Sequence, residues 1–184
     1  NLFLIGTANI NGIATNNGNA ITGNSGRNTI TGGTGSDILS GGDNTGTAGD
    51  RLVGGAGNDS YIVFNANDIV IEGPGGGIDQ LTVFTNFSLS STALAAQEIE
   101  NLSLAGNAVT GTGNDLVNVI VGNELDNTLD GGQNAAGLYD TLAGGDGDDV
   151  YIVRNEGLLP GEGDFVDEIL DQGNDTVQAT FNYT

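Results

Sequence analysis

Aspartates recur at one fixed place in a series of short glycine-rich units, and their chemistry is the clearest in this chain. Units 32–40 (GGTGSDILS), 54–62 (GGAGNDSYI) and 144–152 (GGDGDDVYI) share the pattern Gly-Gly-x-Gly-x-Asp-x-U-x, where U is a large apolar residue. Calcium takes about six to eight oxygen ligands, a mixture of carboxylates and backbone carbonyls. A glycine-rich turn ending in Asp offers both, because glycine lets carbonyl groups crowd around an ion. The repeated unit therefore indicates calcium coordination.

Longer and weaker units extend this set. Units 41–53 and 131–143 are four residues longer but keep the paired glycines, the Asp and the apolar residue. Other units carry Asn at the Asp position, namely Asn19, Asn28, Asn118 and Asn127. An amide oxygen can bind calcium, and the same amide can instead cap a turn through its own hydrogen bonds. Both interpretations stay open, and sites with Asp on both sides are expected to fill best.

A larger repeat contains these units. Residues 41–62 match residues 131–152 at an offset of 90, and the offset becomes 96 beyond an insertion near 156–163. We therefore predict two modules, 1–100 and 101–184, of which the second is a truncated copy. The frame in which the chain starts and stops favours a piece of a longer tandem array.

The fold follows from how each unit ends. The x-U-x positions alternate in polarity, which suits a very short strand with one buried side chain. A turn and a strand in every nine residues give a flattened coil with two units per revolution. We predict an all-β fold, a parallel β-roll in two tandem blocks with short connecting β segments. Neighbouring units must stack for stability, because neither face of one unit can pack alone.

The same geometry predicts which residues share an ion. The carboxylate ligands lie along the edges of the coil: Asp37, Asp59 and Asp79 on one edge, Asp50 and Asp68 on the other, and in the second block Asp140 with Asp164 and Asp149 with Asp175. The carbonyl ligands are expected at or beside the turn glycines Gly33, Gly35, Gly42, Gly55, Gly57, Gly132, Gly145 and Gly147. A lone Asp in a turn is more simply explained by bonds to its own backbone. The regular set favours several Ca²⁺ ions.

Composition narrows the function. The chain has 24 acidic and 3 basic residues and a net charge of -21, so nucleic acids and anionic lipid surfaces are poor partners. It has no His and no Cys, which excludes the usual zinc sites and His-dependent nucleophiles. We therefore expect no enzymatic activity in this segment. No apolar run has membrane-spanning length, so membrane insertion is not expected.

The three regular units resemble the RTX, or hemolysin-type, calcium-binding repeats, and the stretches between them resemble the segments that flank such repeats. The resemblance covers most of the chain. It implies a parallel β-roll, calcium taken from the extracellular medium, and export through a type I secretion system. The ligand positions that it carries over are Asp37, Asp50, Asp59, Asp140 and Asp149.

Three functions compete at this point. The favoured one is a structural module of a large secreted surface protein, such as an adhesin, surface-layer or filament protein, in contact with neighbouring copies of itself. The second is the noncatalytic C-terminal tail of a secreted hydrolase. The third is a carbohydrate- or ice-binding repeat domain, for which Tyr61 and Tyr151 are taken to stand in the slot beside the apolar position.

Overall fold

A computed structural model of the chain describes residues 1–43, 49–90, 98–135, 137–154, 163–168 and 173–180. All the regular structure in these residues is β-strand, and the strands pair in parallel. The loop of the first stretched unit at 44–48 and most of the insertion at 156–163 lie outside the described residues. Within the described ranges, no helix has the length and apolar character needed to cross a membrane.

The chain divides into two compact units. The first comprises Asn1–Phe84 and Ser91–Ile99, and the second comprises Thr85–Ser90 and Glu100–Thr184. The segment Thr85–Ser90 belongs to the second unit because its strand hydrogen-bonds there.

The described part of the first unit contains nine short strands in two parallel sheets. They are β1 (Leu2–Phe3), β2 (Gly12–Ile13), β3 (Ala20–Thr22), β4 (Thr29–Thr34), β5 (Ile38–Ser40), β6 (Arg51–Ala56), β7 (Ser60–Val63), β8 (Ile69–Ile71) and β9 (Gln80–Val83). The odd-numbered strands form one sheet in the order β1-β3-β5-β7-β9, and the even-numbered strands form the other in the order β2-β4-β6-β8. Successive strands therefore alternate between the sheets, which is a coil of two strands per revolution.

The second unit repeats this arrangement. Its strands are β10 (Phe87–Ser88), β11 (Asn101–Leu104), β12 (Thr110–Thr112), β13 (Val119–Val121), β14 (Thr128–Asp130), β15 (Thr141–Ala143), β16 (Val150–Val153), β17 (Phe165–Val166) and β18 (Thr176–Ala179). One sheet runs β10-β12-β14-β16-β18 and the other contains β11-β13-β15-β17. The predicted all-β fold, a parallel β-roll, is confirmed.

The core is a narrow stack of side chains from the U position of each unit. Ile30 and Leu52 face each other in register between β4 and β6, and both are fully buried. The residues on either side of a U residue point outward, because side chains alternate along a strand. Most of the nine-residue units thus bury one large side chain, which contributes about 1.5–3 kcal/mol relative to exposure. Gly12 and Gly111 stand at this position in two units, and Val177 at the end of the stack is exposed.

Tyr61 and Tyr151 lie in this core, and their assignment to the slot beside the apolar position was wrong. Tyr61 pairs in register with Leu39, and Tyr151 with Leu129. Both tyrosine side chains are completely buried. They occupy the U position itself, with the ring in the stack and the hydroxyl group at its margin.

Candidate metal centres

A ladder of hydrogen bonds fixes the aspartates along each edge. In the first unit the backbone N–H of Asp37 donates to Oδ1 of Asp59 at 2.8 Å, and that of Asp59 donates to Oδ1 of Asp79 at 2.7 Å. In the second unit the N–H of Asp149 donates to Oδ1 of Asp175 at 2.9 Å. The structure therefore brings together aspartates two units apart, each with one carboxylate oxygen engaged by the turn before it.

The second oxygen of several of these carboxylates has a different environment. Asp37, Asp59 and Asp149 are each only 1% exposed. Their Oδ2 atoms are buried, and no hydrogen-bond partner for them occurs among the described residues. Removing an ionised carboxylate from water costs several kcal/mol unless a positive charge or hydrogen bonds compensate. These oxygens are therefore placed to bind a cation.

Backbone carbonyls border the same space. The first glycine of each turn lies against this space. A Cβ atom at Gly32 would lie 2.6 Å from Oδ2 of Asp37 and 2.7 Å from the carbonyl oxygen of Gly54. A side chain would therefore fill a cradle lined by one carboxylate oxygen and by a carbonyl from the turn two units later. That donor set, and the absence of a side chain from the cradle, fit Ca²⁺.

The turn backbone requires glycine at the predicted positions. Gly33 and Gly55 stack in register with φ of 115° and 112°, a left-handed conformation that other residues rarely adopt. A Cβ on Gly55 would also collide with the carbonyl oxygen of Gly33. Positive φ occurs at all the glycines predicted as sites, namely Gly33, Gly35, Gly42, Gly55, Gly57, Gly132, Gly145 and Gly147.

Asp50 and Asp140 face the turns that carry Asn. The backbone N–H of Asn28 donates to Oδ1 of Asp50 at 2.6 Å, and that of Asn118 donates to Oδ1 of Asp140 at 2.7 Å. Both carboxylates are buried. A Cβ atom at Gly41 would collide with Oδ2 of Asp50, as the same atom at Gly32 would meet Asp37. The stretched units thus keep the geometry of the regular ones on this side of the turn.

Asp68 and Asp164 have a different role from the other predicted ligands. Oδ1 of Asp68 accepts the N–H of Asp50 at 2.7 Å, and its Oδ2 accepts the N–H of Asn65 at 3.3 Å. In the second unit, Oδ1 of Asp164 accepts the N–H of Asp140 at 3.1 Å, and Oδ2 accepts the N–H of Arg154 at 2.9 Å. Backbone donors thus engage both oxygens of each carboxylate, which is the arrangement of a turn cap.

Two glutamates that the repeat pattern did not single out join the aspartates. Oxygen atoms of Asp59, Glu72 and Asp79 lie within 4.8 Å of one another, and those of Asp149, Glu168 and Asp175 form a second such group, in which Glu168 is exposed and Asp175 is half-buried. Glu72 is fully buried. The offset of 96 already paired these two glutamates, but the pattern has no acidic residue at that position.

Burial and repulsion from neighbouring carboxylates raise the pKa of Asp59 and of Asp149. The pKa of Asp59 rises to about 6, chiefly because burial disfavours its charged form, with further repulsion from Glu72 and Asp37. Burial likewise raises the pKa of Asp149, aided by Asp175. Burial and the hydrogen bond to Glu72 hold the pKa of Tyr61 far above its usual value, so its hydroxyl stays protonated and donates to Glu72. A bound cation would relieve this repulsion.

The Asn-bearing turns satisfy their own polar groups. Oδ1 of Asn28 accepts the N–H of Asn24 at 2.8 Å, and its Nδ2 donates to the carbonyl of Ile10 at 2.6 Å. Oδ1 of Asn127 accepts the N–H of Asn123 at 2.8 Å, and its Nδ2 donates to Oδ1 of Asn123 at 3.2 Å. These amides act as turn caps, which is one of the two roles that the sequence left open.

Two comparisons with known proteins found no relative of this chain. No protein-family model matches the chain, and no curated protein matches it. The fold and the site therefore define the class on their own: a parallel β-solenoid whose turns hold groups of buried carboxylates able to bind metal ions.

Proposed function

We propose that this chain is an extracellular calcium-binding structural module whose folding is driven by calcium. The observation that carries the proposal is the set of buried Oδ2 atoms at Asp37, Asp59 and Asp149, which lack a hydrogen-bond partner among the described residues. Carbonyl groups of neighbouring turns border the same space, as Gly54 does beside Asp37. A hard divalent cation matches this donor set.

The charge of the chain supports the same proposal. With 24 acidic and 3 basic residues, the protein has few cations of its own to place beside the buried carboxylates. Arg27 and Arg51 are exposed, and Arg154 pairs with Asp130 at 2.6 Å. The Arg154–Asp130 pair lies outside the Asp turns of 32–40 and 54–62. The net charge of -21 therefore opposes the compact state until metal ions bind.

Calcium binding and folding are coupled in this proposal. An ion that binds only the folded coil adds its binding free energy to the free energy of folding. Extracellular calcium modules bind with dissociation constants of about 10⁻⁴–10⁻³ M. The chain would then stay expanded at cytosolic calcium concentrations and fold outside the cell. This suits a segment of a type I-secreted bacterial surface protein of the adhesin, surface-layer or filament type.

The structure removes the main support for a carbohydrate-binding surface. Tyr61 and Tyr151 are completely buried, so neither ring is available to stack on a sugar. A regular threonine row for ice binding is also interrupted, since Thr110 and Thr128 are followed in register by Val150. The structural role is therefore preferred.

Circular dichroism of the chain, titrated with calcium and reversed with EGTA, tests the proposal. We expect partial β structure in EGTA, a much stronger β spectrum in millimolar calcium, and full reversal on chelation. Magnesium at the same ionic strength is the control, because it demands a smaller octahedral site and dehydrates reluctantly. A β spectrum that EGTA leaves unchanged would refute calcium-driven folding.

A further inference from the structure

In each of the two compact units, a glutamate stands at a place where the nine-residue repeat has glycine. Val53 pairs with Ile71, so Glu72 follows β8 just as Gly54 follows Val53. In the second unit Leu142 pairs with Val166, so Glu168 corresponds to Gly144 in the same way. A carboxylate side chain therefore occupies the part of the turn that is otherwise left open by glycine.

We propose that each of the two compact units holds one calcium site of a second kind, in which three carboxylates surround a single ion. Its ligands are Asp59, Glu72 and Asp79 in the first unit, and Asp149, Glu168 and Asp175 in the second. These two sites fill before the others and bind more tightly. The inference rests on the calcium binding proposed above, and it adds the order in which the sites fill.

An observation independent of the acidic grouping points to a ligand at this place. Asp59 is 1% exposed, and its Oδ2 atom is buried without a hydrogen-bond partner among the described residues. A Cβ atom at Gly54 would collide with this oxygen and with Oε2 of Glu72. Both oxygens therefore point into one small space. At the second site, Oδ2 of Asp149 is equally buried and lies beside Gly144.

Charge distinguishes these sites from those of the regular turns. Beside Gly32, one aspartate oxygen and one backbone carbonyl border the cradle. Beside Gly54, Oδ2 of Asp59, Oε2 of Glu72 and the Tyr61 hydroxyl border the cradle, and Asp79 completes a group of three carboxylates whose oxygens lie within 4.8 Å of one another. Calcium affinity rises with the number of charged ligands and with the rigidity of the site. A cluster with three formal negative charges should therefore capture the first ions.

A buried tyrosine positions the glutamate in both units. The hydroxyl of Tyr61 donates to Oε2 of Glu72, and that of Tyr151 donates to Oε1 of Glu168. The N–H of Gly144 in turn donates to the Tyr151 hydroxyl at 2.8 Å. The Tyr–Glu separation is 11 residues in the first unit and 17 in the second. The same constellation therefore survives a longer connection, so chain proximity alone does not create it.

Isothermal titration calorimetry of the whole chain tests the order of filling. We expect a tight phase of two calcium ions, one for each three-carboxylate group, followed by weaker binding. Glu72→Gln should remove one ion from the tight phase and Glu72→Gln with Glu168→Gln should remove both, weakening each altered site roughly 100-fold. Glu98→Gln with Glu124→Gln removes the same charge from side chains outside both groups, and should leave the tight phase unchanged.

Tyrosine-sensitised terbium luminescence gives a second readout that does not depend on calcium affinity. The chain has no Trp and four Tyr residues, so energy transfer reports ions bound beside tyrosine. Tyr61→Phe should abolish the emission from the first unit, and its tight calcium site should weaken about 10- to 100-fold. The site of the second unit remains intact in that variant and provides an internal control for folding.

The outcomes separate this inference from the calcium proposal itself. If the unaltered chain binds no calcium, the proposed function fails. If it binds calcium but Glu72→Gln with Glu168→Gln behaves like the Glu98→Gln with Glu124→Gln control, only the three-carboxylate sites are refuted. Terbium emission that is insensitive to Tyr61→Phe and Tyr151→Phe would likewise show that the first ions bind elsewhere.

Discussion

Neighbouring turns in the first compact unit differ in how the Asn or Asp side chain that ends the turn is hydrogen-bonded. The Asn28 amide is fully hydrogen-bonded, because its oxygen accepts the N–H of Asn24 and its nitrogen donates both to Oδ1 of Asn24 and to the carbonyl of Ile10 in the adjacent coil. In the Asp37 turn, Oδ1 accepts the N–H of Asn19 at 2.7 Å. Its Oδ2 is buried without a partner among the described residues. The first turn satisfies its own amide group, and the second leaves a buried carboxylate oxygen that a cation could bind.

The difference between these turns amounts to one side-chain group. Asn carries an NH₂ that donates where Asp carries a second acceptor oxygen with a negative charge. A carboxylate in the same surroundings gains an oxygen that can bind calcium and loses the donor that closes the turn. The Asn turns should therefore retain structure without metal, whereas the Asp turns should order only when ions bind.

Removal of a carboxylate that is a proposed metal ligand should have the largest effect on stability in calcium. Asp59→Ala deletes an oxygen from the ladder and one from the three-carboxylate group. We expect a loss of about 3–5 kcal/mol of stability in saturating calcium, as for the breaking of a buried charge pair, and little change in EGTA. Urea denaturation in both conditions measures it. Asp43→Ala, at an exposed position, is the control and should show no change. Equal losses with and without calcium would contradict a ligand role.

Conversion of the Asn28 turn to an Asp turn should have the next largest effect on stability. Asn28→Asp removes the donor to Ile10 and adds a buried charge. In EGTA we expect a stability loss of about 1–3 kcal/mol, the cost of leaving buried polar groups unsatisfied. Calcium should restore most of this loss. Asn16→Asp, at an exposed position, controls for the added charge. A variant as stable as the control in EGTA would show that the amide cap does not stabilise the turn.

Acid should partly replace calcium in the Asp turns. The pKa of Asp59 is about 6 in the folded chain against an ordinary 3.8, so the ion-free fold binds a proton that the unfolded chain releases between these values. Stability of the ion-free fold therefore increases as pH falls through about 6 and is lost again as pH rises. Calcium affinity should change in the opposite direction, because the proton competes for the same oxygen.

Circular dichroism in EGTA between pH 7 and pH 4 measures the acid effect. We expect β structure to increase on acidification and Asp59→Asn to reduce the increase, since that variant has no proton to gain at this position. Asp43→Asn is the matched control. Order that does not change between these pH values would contradict the raised pKa of Asp59.

Repetition explains why much of this architecture could be predicted from sequence. The glycines with positive φ, such as Gly33 and Gly55, recur at fixed spacing because each turn has the same backbone. The aspartate pairs two units apart follow from the coil of two strands per revolution. A single unit would give weak information, but the repeated pattern determines the period of the fold and the placement of its carboxylates.

The features that sequence reasoning missed depend on single contacts outside that period. Glu72 stands at a glycine position and has meaning only beside Asp59 and the Tyr61 hydroxyl. Asp68 matches the ligand pattern, yet the N–H of Asn65 engages its second oxygen. That bond depends on the conformation of one short turn, and the spacing of the repeats contains no information about it.

The smallest effect is expected where an aspartate acts as a turn cap. Asp68→Asn keeps the acceptor for the N–H of Asp50 and replaces the second acceptor, which the N–H of Asn65 uses. We expect a loss of about 1 kcal/mol, the usual cost of one hydrogen bond, of equal size at saturating and at limiting calcium. The number of calcium ions bound, measured by calorimetry, should stay the same. Asp37→Asn is the matched comparison, because the same chemical change there should remove a ligand and lower the calcium affinity. Loss of an ion from Asp68→Asn would instead place Asp68 among the metal ligands.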